Sequence, residues 1–311
     1  MSEISLPYKL GCPMWGNRHW ANSFFAKGTK VSDYLLQYTS VFNTVEGNTT
    51  FYGLPSPATI DRWAADAGDN FRFCFKFPQR ITHAQKLRGS EEETAKFFTT
   101  MQPIAEKLGP FLLQLPADFS PESLPVLKDY LQQLPSDYRY TVEVRHLDFF
   151  HDHDADNVLS DLLVAKGIDR VIFDTRPLFS ARAQTDAVRD AQSKKPKVPA
   201  NTYALSNNPT LRFIGHPHME RSLEYFRPWL RKVANWIQQD KTPYVFIHTP
   251  DNADAPELAH LFHAGLQEFL PAMPALPVFP AERQLQSERE LHKRNRKIMR
   301  ADVDKHQYDL F

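Results

Sequence analysis

Eight short apolar runs recur along the chain, each closed by polar or turn residues: 8–12, 41–46, 71–77, 111–115, 140–145, 170–174, 211–215 and 244–249. β-Branched and aromatic runs of this length, bounded by Pro, Gly, Asn and Asp, read as buried strands. Helical patterns lie between most of them, at 31–39, 56–67, 90–108, 121–133, 155–165 and 220–239, with a last one at 255–270. Strand–helix alternation calls for a parallel sheet. Eight units with a helix after the last predict closure into a (β/α)8 TIM barrel, one domain over residues 1–271. An open doubly wound sheet is the alternative, but the turn at 11–16 lacks the Gly-rich dinucleotide fingerprint, so no nucleotide cofactor is expected.

Two segments break the rhythm. Residues 176–210 form a long connection with a helix-like piece at 183–192 and a basic, Pro-rich middle at 194–199. A loop this long is usually a lid, a binding loop or disorder. The extension 272–311 is Pro-rich to Pro280, then polar and helix-compatible over 282–300. Ser90 and Glu93 have the spacing of a capping box.

Composition narrows the function. The chain has 311 residues, 42% of them hydrophobic, enough for a sizeable core. Lys plus Arg and Asp plus Glu are 37 each, so a whole-molecule polyanion binder is excluded and any nucleic-acid contact must be local. Cys12 and Cys74 are too few for a disulfide scaffold or a paired-thiolate zinc site. The N-terminus lacks a signal-peptide pattern, and no run of about 18 apolar residues occurs. The expected setting is the cytoplasm, away from membranes.

Strand side chains alternate between faces. Thr44 and Glu46 share a face, with Asn48 just beyond; Phe71, Phe73, Phe75 and Phe77 oppose Arg72, Cys74 and Lys76; Thr141, Glu143 and Arg145 oppose Val142 and Val144. Ile172 shares a face with Asp174, and Phe246 with His248. In a barrel the apolar face packs on the helices and the polar face turns inward. Glu46, Lys76, Glu143, Arg145, Asp174, His216 and His248 fall in or just after the last half of their strands, the end where such barrels build sites. The competing reading is a closed ion-pair network that only fills the interior.

These residues support three functional readings. In the first, an enzyme acts on an anionic small molecule: Glu46, Glu143 and Asp174 serve as acid and base. Lys76, Arg145 and His216 hold a phosphate or carboxylate, and Trp15 and Tyr52 wall a sugar or base. In the second, Glu46, Glu143, Asp174, His216 and His248 ligate a divalent metal, as in metal-dependent phosphoesterases and isomerases. Lys76 and Arg145 at the same mouth oppose a cation, so no metal ligand is assigned. In the third, the tail residues Arg289, Lys293, Arg294, Arg296, Lys297 and Arg300, with Lys194, Lys195 and Lys197, make a basic edge for nucleic acid or a protein. His151 to Asp154 reads as a solvated loop whose aspartate caps the next helix. Cys12 reads as a small buried residue rather than a nucleophile. Reaction, substrate and oligomeric state have no signature in the sequence.

The same segments carry a resemblance. Residues 42–56, Phe-Asn-Thr-Val-Glu-Gly-Asn-Thr-Thr-Phe-Tyr-Gly-Leu-Pro-Ser, are similar to the signature of the YecE-like family, TIM barrels catalogued as a domain of unknown function. Gly11-Cys-Pro-Met-Trp15, residues 71–78 with Ile81-Thr-His83, residues 108–116 and Val142-Glu-Val-Arg-His146 match in the same order, so about residues 9–269 are covered. The resemblance implies a TIM barrel without a settled activity. Residues matching the family pattern are Glu46, Asn48, Phe51, Tyr52, Lys76, Gln114, Glu143, Arg145 and Asp174, which adds Gln114 to the ligand-binding set. The chain departs from the pattern at Cys12 and Pro13, and at His248 and Thr249, where the family carries two asparagines.

Overall fold

The computed structural model describes residues 5–291. Its strands are β1 (Lys9–Gly11), β2 (Thr44–Gly47), β3 (Arg72–Phe75), β4 (Phe111–Gln114), β5 (Tyr140–Glu143), β6 (Asp169–Arg170), β7 (Ile172–Asp174), β8 (Thr210–Ile214) and β9 (Tyr244–His248). All eight apolar runs contain strand, and the sixth is split at Val171 into β6 and β7. Every strand pairing within the sheets is parallel. Helices fill the connections, so the fold is α/β.

The repeat leads to the expectation of a single closed sheet. The strands group into three sheets, of order β1-β9-β8-β7, β2-β3 and β4-β5-β6, and none closes on itself. Proline explains two of the seams, because it has no N–H to extend a ladder. Pro13 follows β1, where one bond reaches β2, from the Glu46 N–H to the Cys12 carbonyl at 3.1 Å. Pro110 sits between two isolated bridges, Phe73 with Leu108 and Lys76 with Leu112, that link β3 to β4. At the third seam the Val171 N–H donates to the Val142 carbonyl at 2.8 Å.

Period-two alternation sorts the side chains into two layers. Val45, Phe73, Phe75, Leu113, Val142, Leu211, Phe213, Val245 and Ile247 join the main core. Phe73 and Phe75 stack on Trp63 of the helix Pro57–Asp66, whose first turn is capped by Ser56. The opposite faces carry Thr44, Cys74, Leu112, Thr141, Thr210 and Phe246. The last five line one small void together with Glu46 and Pro110. Gly11 has the closest approach: a Cβ there would lie 2.0 Å from the Thr44 carbonyl oxygen. That space lets the Tyr38 hydroxyl bond both the Cys12 N–H and the Thr44 carbonyl.

The connection 176–210 is ordered. It holds the helices Arg176–Ser180 and Asp186–Lys194, whose Leu178, Val188 and Ala191 pack on Phe173 and Ile214. Asp152 accepts from the N–H groups of Asp154 and Ala155, so the aspartate caps the helix His153–Val164 as its loop position predicted. The capping box is not formed. The Ser90 hydroxyl donates to the Leu87 carbonyl at 3.2 Å, and Glu93 pairs with Arg80 at 2.7 Å. After residue 271 the chain packs back on its own beginning: Phe279 lies against Phe24, and the Ala281 N–H donates to the Phe24 carbonyl. Of the basic tail residues, Lys293, Arg294, Arg296, Lys297 and Arg300 lie outside the described residues. No helix among those described is long and apolar enough to cross a membrane.

Candidate functional site

The inward layer ends in a buried charged network at the C-terminal ends of the strands. Register builds it: Glu46 pairs with Cys74 across β2 and β3, two residues before Lys76, while Gln114 pairs with Glu143 across β4 and β5. Arg212, in the middle of β8, spans the interior. Its Nε and Nη2 donate to Glu46 Oε2 at 2.7 Å and Oε1 at 2.9 Å, and its Nη1 donates to Glu143 Oε2. The guanidinium also lies over the Phe173 ring, 5.2 Å from its centroid. Lys76 reaches Glu46 Oε1 at 3.3 Å and donates to Gln114 Oε1 at 3.0 Å. The same Gln114 oxygen accepts from Arg145 Nη2 at 2.9 Å, and Arg145 Nε donates to Glu143 Oε1 at 2.8 Å.

The long connection closes over this network. Arg145 Nη1 donates to the Lys194 carbonyl at 3.0 Å, the Thr175 hydroxyl donates to the Pro196 carbonyl, and Lys195 lies within the field of Arg212, Arg145, Lys76 and Glu46. Phe51 edges the rim, 5.9 Å below the Lys76 ammonium, with Tyr52 exposed beside it.

Titration follows from this crowding. Burial raises the Glu46 and Glu143 carboxyls, but the surrounding cations outweigh it. Arg212, Lys76 and His248 hold Glu46 well below its ordinary range, and Arg212, Arg145 and Lys76 bring Glu143 to about 2. Burial lowers the His248 imidazole to about 4 against the opposing pull of Glu46. The ring is therefore neutral at pH 7, and its Nε2–H donates to Glu46 Oε2 at 3.2 Å. Lys76 and Lys195 are both lowered to about 8, by burial first and then by Arg212 and Arg145, against the attraction of Glu46.

Six of the residues singled out in the sequence meet here: Glu46, Lys76, Gln114, Glu143, Arg145 and His248. Five lie elsewhere. Asp174 faces outward, bonded to Arg176 Nη2 at 2.7 Å and to the Trp229 indole N–H at 2.6 Å. Trp15 packs edge-on against Trp63 and Phe73, and Asn48 donates to the Pro13 carbonyl at 2.7 Å. Tyr52 is 77% exposed, and His216 lines a different cleft. Arg212 was missed, although its signal was present: it is the one charged residue in an apolar run, alternating with Leu211 and Phe213. No pattern in the sequence placed Lys195 over the strand ends. Among the described residues, no three His, Cys, Asp or Glu side chains are placed to hold a metal ion.

The chain is thus a parallel α/β protein with a charged layer at its strand ends. The family model described as "Protein of unknown function DUF72" matches residues 9–282, and the chain belongs to that family. It is 43% identical over 276 residues to the UPF0759 protein YecE of Escherichia coli strain K12, covering 89% of this chain and 98% of that one. The YecE of Escherichia coli O157:H7 is 42% identical with the same coverage. Among solved structures, a DUF72 family protein from Thermotoga maritima superimposes with a TM-score of 0.62 at 20% identity, covering 84% of this chain and 99% of that one. One from Enterococcus faecalis gives 0.61 at 20% identity, with 85% and 95% covered. These likenesses concern the fold.

Proposed function

We propose that the Arg212 network is the floor of a binding site for an anionic small molecule bearing a phosphate or carboxylate. One observation carries this reading. Among the described residues, two buried cations, Lys76 and Arg212, and two half-buried ones, Arg145 and Lys195, gather around only two carboxylates, Glu46 and Glu143. Both carboxylates are engaged on both oxygens. Unbalanced charge in a low-dielectric interior is costly, and an anion among Arg145, Lys76 and Lys195 offsets that cost. The lid segment 194–197 and the Phe51–Tyr52 rim support enclosure of a small ligand.

The chemistry best suited to the site is proton transfer beside the bound anion. Amines that titrate near 8 exchange a proton at neutral pH, so Lys76 and Lys195 suit acid and base roles. Glu46 and Glu143, held ionised, position the guanidiniums. We also read the three sheets as arcs of one eight-stranded barrel, a reading supported by the hydrogen bonds across the seams. Slow amide exchange at Glu46, Phe77, Gly109 and Val171 is expected; rapid exchange there would mean open edges instead.

The test is a thermal-shift screen of phosphorylated metabolites and sugar acids against the wild-type chain, with Arg145→Ala and Lys195→Gln alongside. A ligand of the native state raises the melting temperature by mass action. The expected result is a set of anionic hits lost in both variants. A screen that yields no anionic hit lost in both variants would sink the proposal.

A further inference from the structure

We infer that the cleft between the loops following β7, β8 and β9 is a second binding site, for a phosphorylated sugar or polyol. It lies apart from the network: a cleft of about 680 Å³, with no lining residue drawn from the Arg212 cluster. Its wall contains two buried polar atoms without a partner among the described residues, His216 Nε2 and Thr249 Oγ1. The two residues are 2% and 3% exposed. Buried polar groups are nearly always paired, so two orphans on one cleft point to a ligand that supplies what they lack.

The His216 tautomer says what is missing. Its Nδ1 accepts the His218 N–H at 2.9 Å. Burial and the nearby Arg221 lower its pKa, so the ring is neutral and its proton sits on Nε2. The orphan is thus a donor, and it calls for a ligand oxygen. Thr249 offers a hydroxyl that gives or accepts.

The rest of the wall selects the ligand class. Arg182 and Arg221 form no salt bridge among the described residues, and both line the cleft. Arg221 belongs to the first turn of the helix Met219–Gln238, whose N-cap His218 makes no side-chain cap bond. Guanidiniums, a neutral N–H donor and a helix N-terminus together suit a phosphate monoester. Asp251 and Asp254 line the same cleft and repel a bare anion, but they accept hydrogen bonds from hydroxyl groups. A ligand carrying both a phosphate and several hydroxyls satisfies the two halves at once.

The experiment follows the His216 imidazole by long-range ¹H–¹⁵N NMR in the full chain, titrated with ribose 5-phosphate, ribose and inorganic phosphate. Ribose 5-phosphate is expected to shift the Nε2–H resonance saturably and to bind more tightly than either fragment. Thr249→Val should weaken it about tenfold at that resonance, and calorimetric titration of His216→Phe should show the same loss, the usual one for a well-placed buried hydrogen bond. Arg145→Gln, which strikes the network instead, should leave the titration read at His216 within about twofold. Equal affinity for inorganic phosphate overturns the polyol assignment. An unmoved His216 resonance, or binding that survives His216→Phe and Thr249→Val but falls in Arg145→Gln, overturns the site and leaves the network reading intact.

Discussion

Arg212 grips Glu46 with two parallel hydrogen bonds across the interior, Nε to Oε2 at 2.7 Å and Nη2 to Oε1 at 2.9 Å. This fork joins a residue of β8 to one of β2, strands that belong to different sheets. Arg212→Met strands Glu46 and Glu143 as buried, under-paired carboxylates, so it should cost about 3–5 kcal/mol in urea unfolding. Arg212→Lys keeps the charge but loses the fork, and a clear loss should still appear. Unchanged melting in both variants would show that the network adds nothing to the fold.

Acid should unfold the chain through the same carboxylates. The folded pKa of Glu143 is about 2, against 4.5 for the free side chain, and Glu46 is lowered as well. A depressed carboxylate contributes stability that is fully present above its unfolded pKa and is lost as pH falls through the folded one. Urea midpoints should therefore drop between about pH 4.5 and pH 2. Glu143→Gln should start from lower stability and show a flatter slope across that window.

Anion affinity should weaken in alkali. Lys76 and Lys195 titrate near 8, and a bound anion favours their charged forms, so affinity is greatest below that value and declines above it. Without ligand the sign reverses. Each lysine binds fewer protons folded than unfolded between about 8 and 10.5, so each term alone makes stability rise with pH there. Calorimetric titration of a network ligand at pH 7 and pH 9 should show the decline, and Lys195→Gln should blunt it.

Asp174 should behave as a structural residue. Its carboxylate ties Arg176 and the indole N–H of Trp229 to the end of β7, on the face away from the network. Asp174→Asn is expected to cost about 1–3 kcal/mol, the range for weakening a buried charged hydrogen bond, and to change tryptophan fluorescence. Binding at the network should stay within about twofold. A large loss of affinity with unchanged stability would assign Asp174 to the site.

Much of the site was legible because strand alternation is a local rule. Glu46, Lys76 and Glu143 were placed on inward faces from the residues beside them, and the same rule, applied to 211–215, would have found Arg212. It misled at Asp174 because polarity was taken as the inward signal, whereas Ile172 on the same face joins the main core and Asp174 meets Trp229 beside it. His216 stood near the mouth by position alone, while its ring is fixed by the His218 N–H and opens on another cleft.

The amino-acid order alone determined the α/β class, the positions of the strands, the absence of a dinucleotide turn and the polar faces, since each depends on neighbours within a few residues. Only the tertiary structure decided which charges meet, because Glu46 and Arg212 lie 166 residues apart and are joined by the packing of the strands. It also decided that Lys195 lies beside them and that the strands group into three sheets. The balance of four cations against two carboxylates is a property of that shared volume, and no segment of the chain contains it.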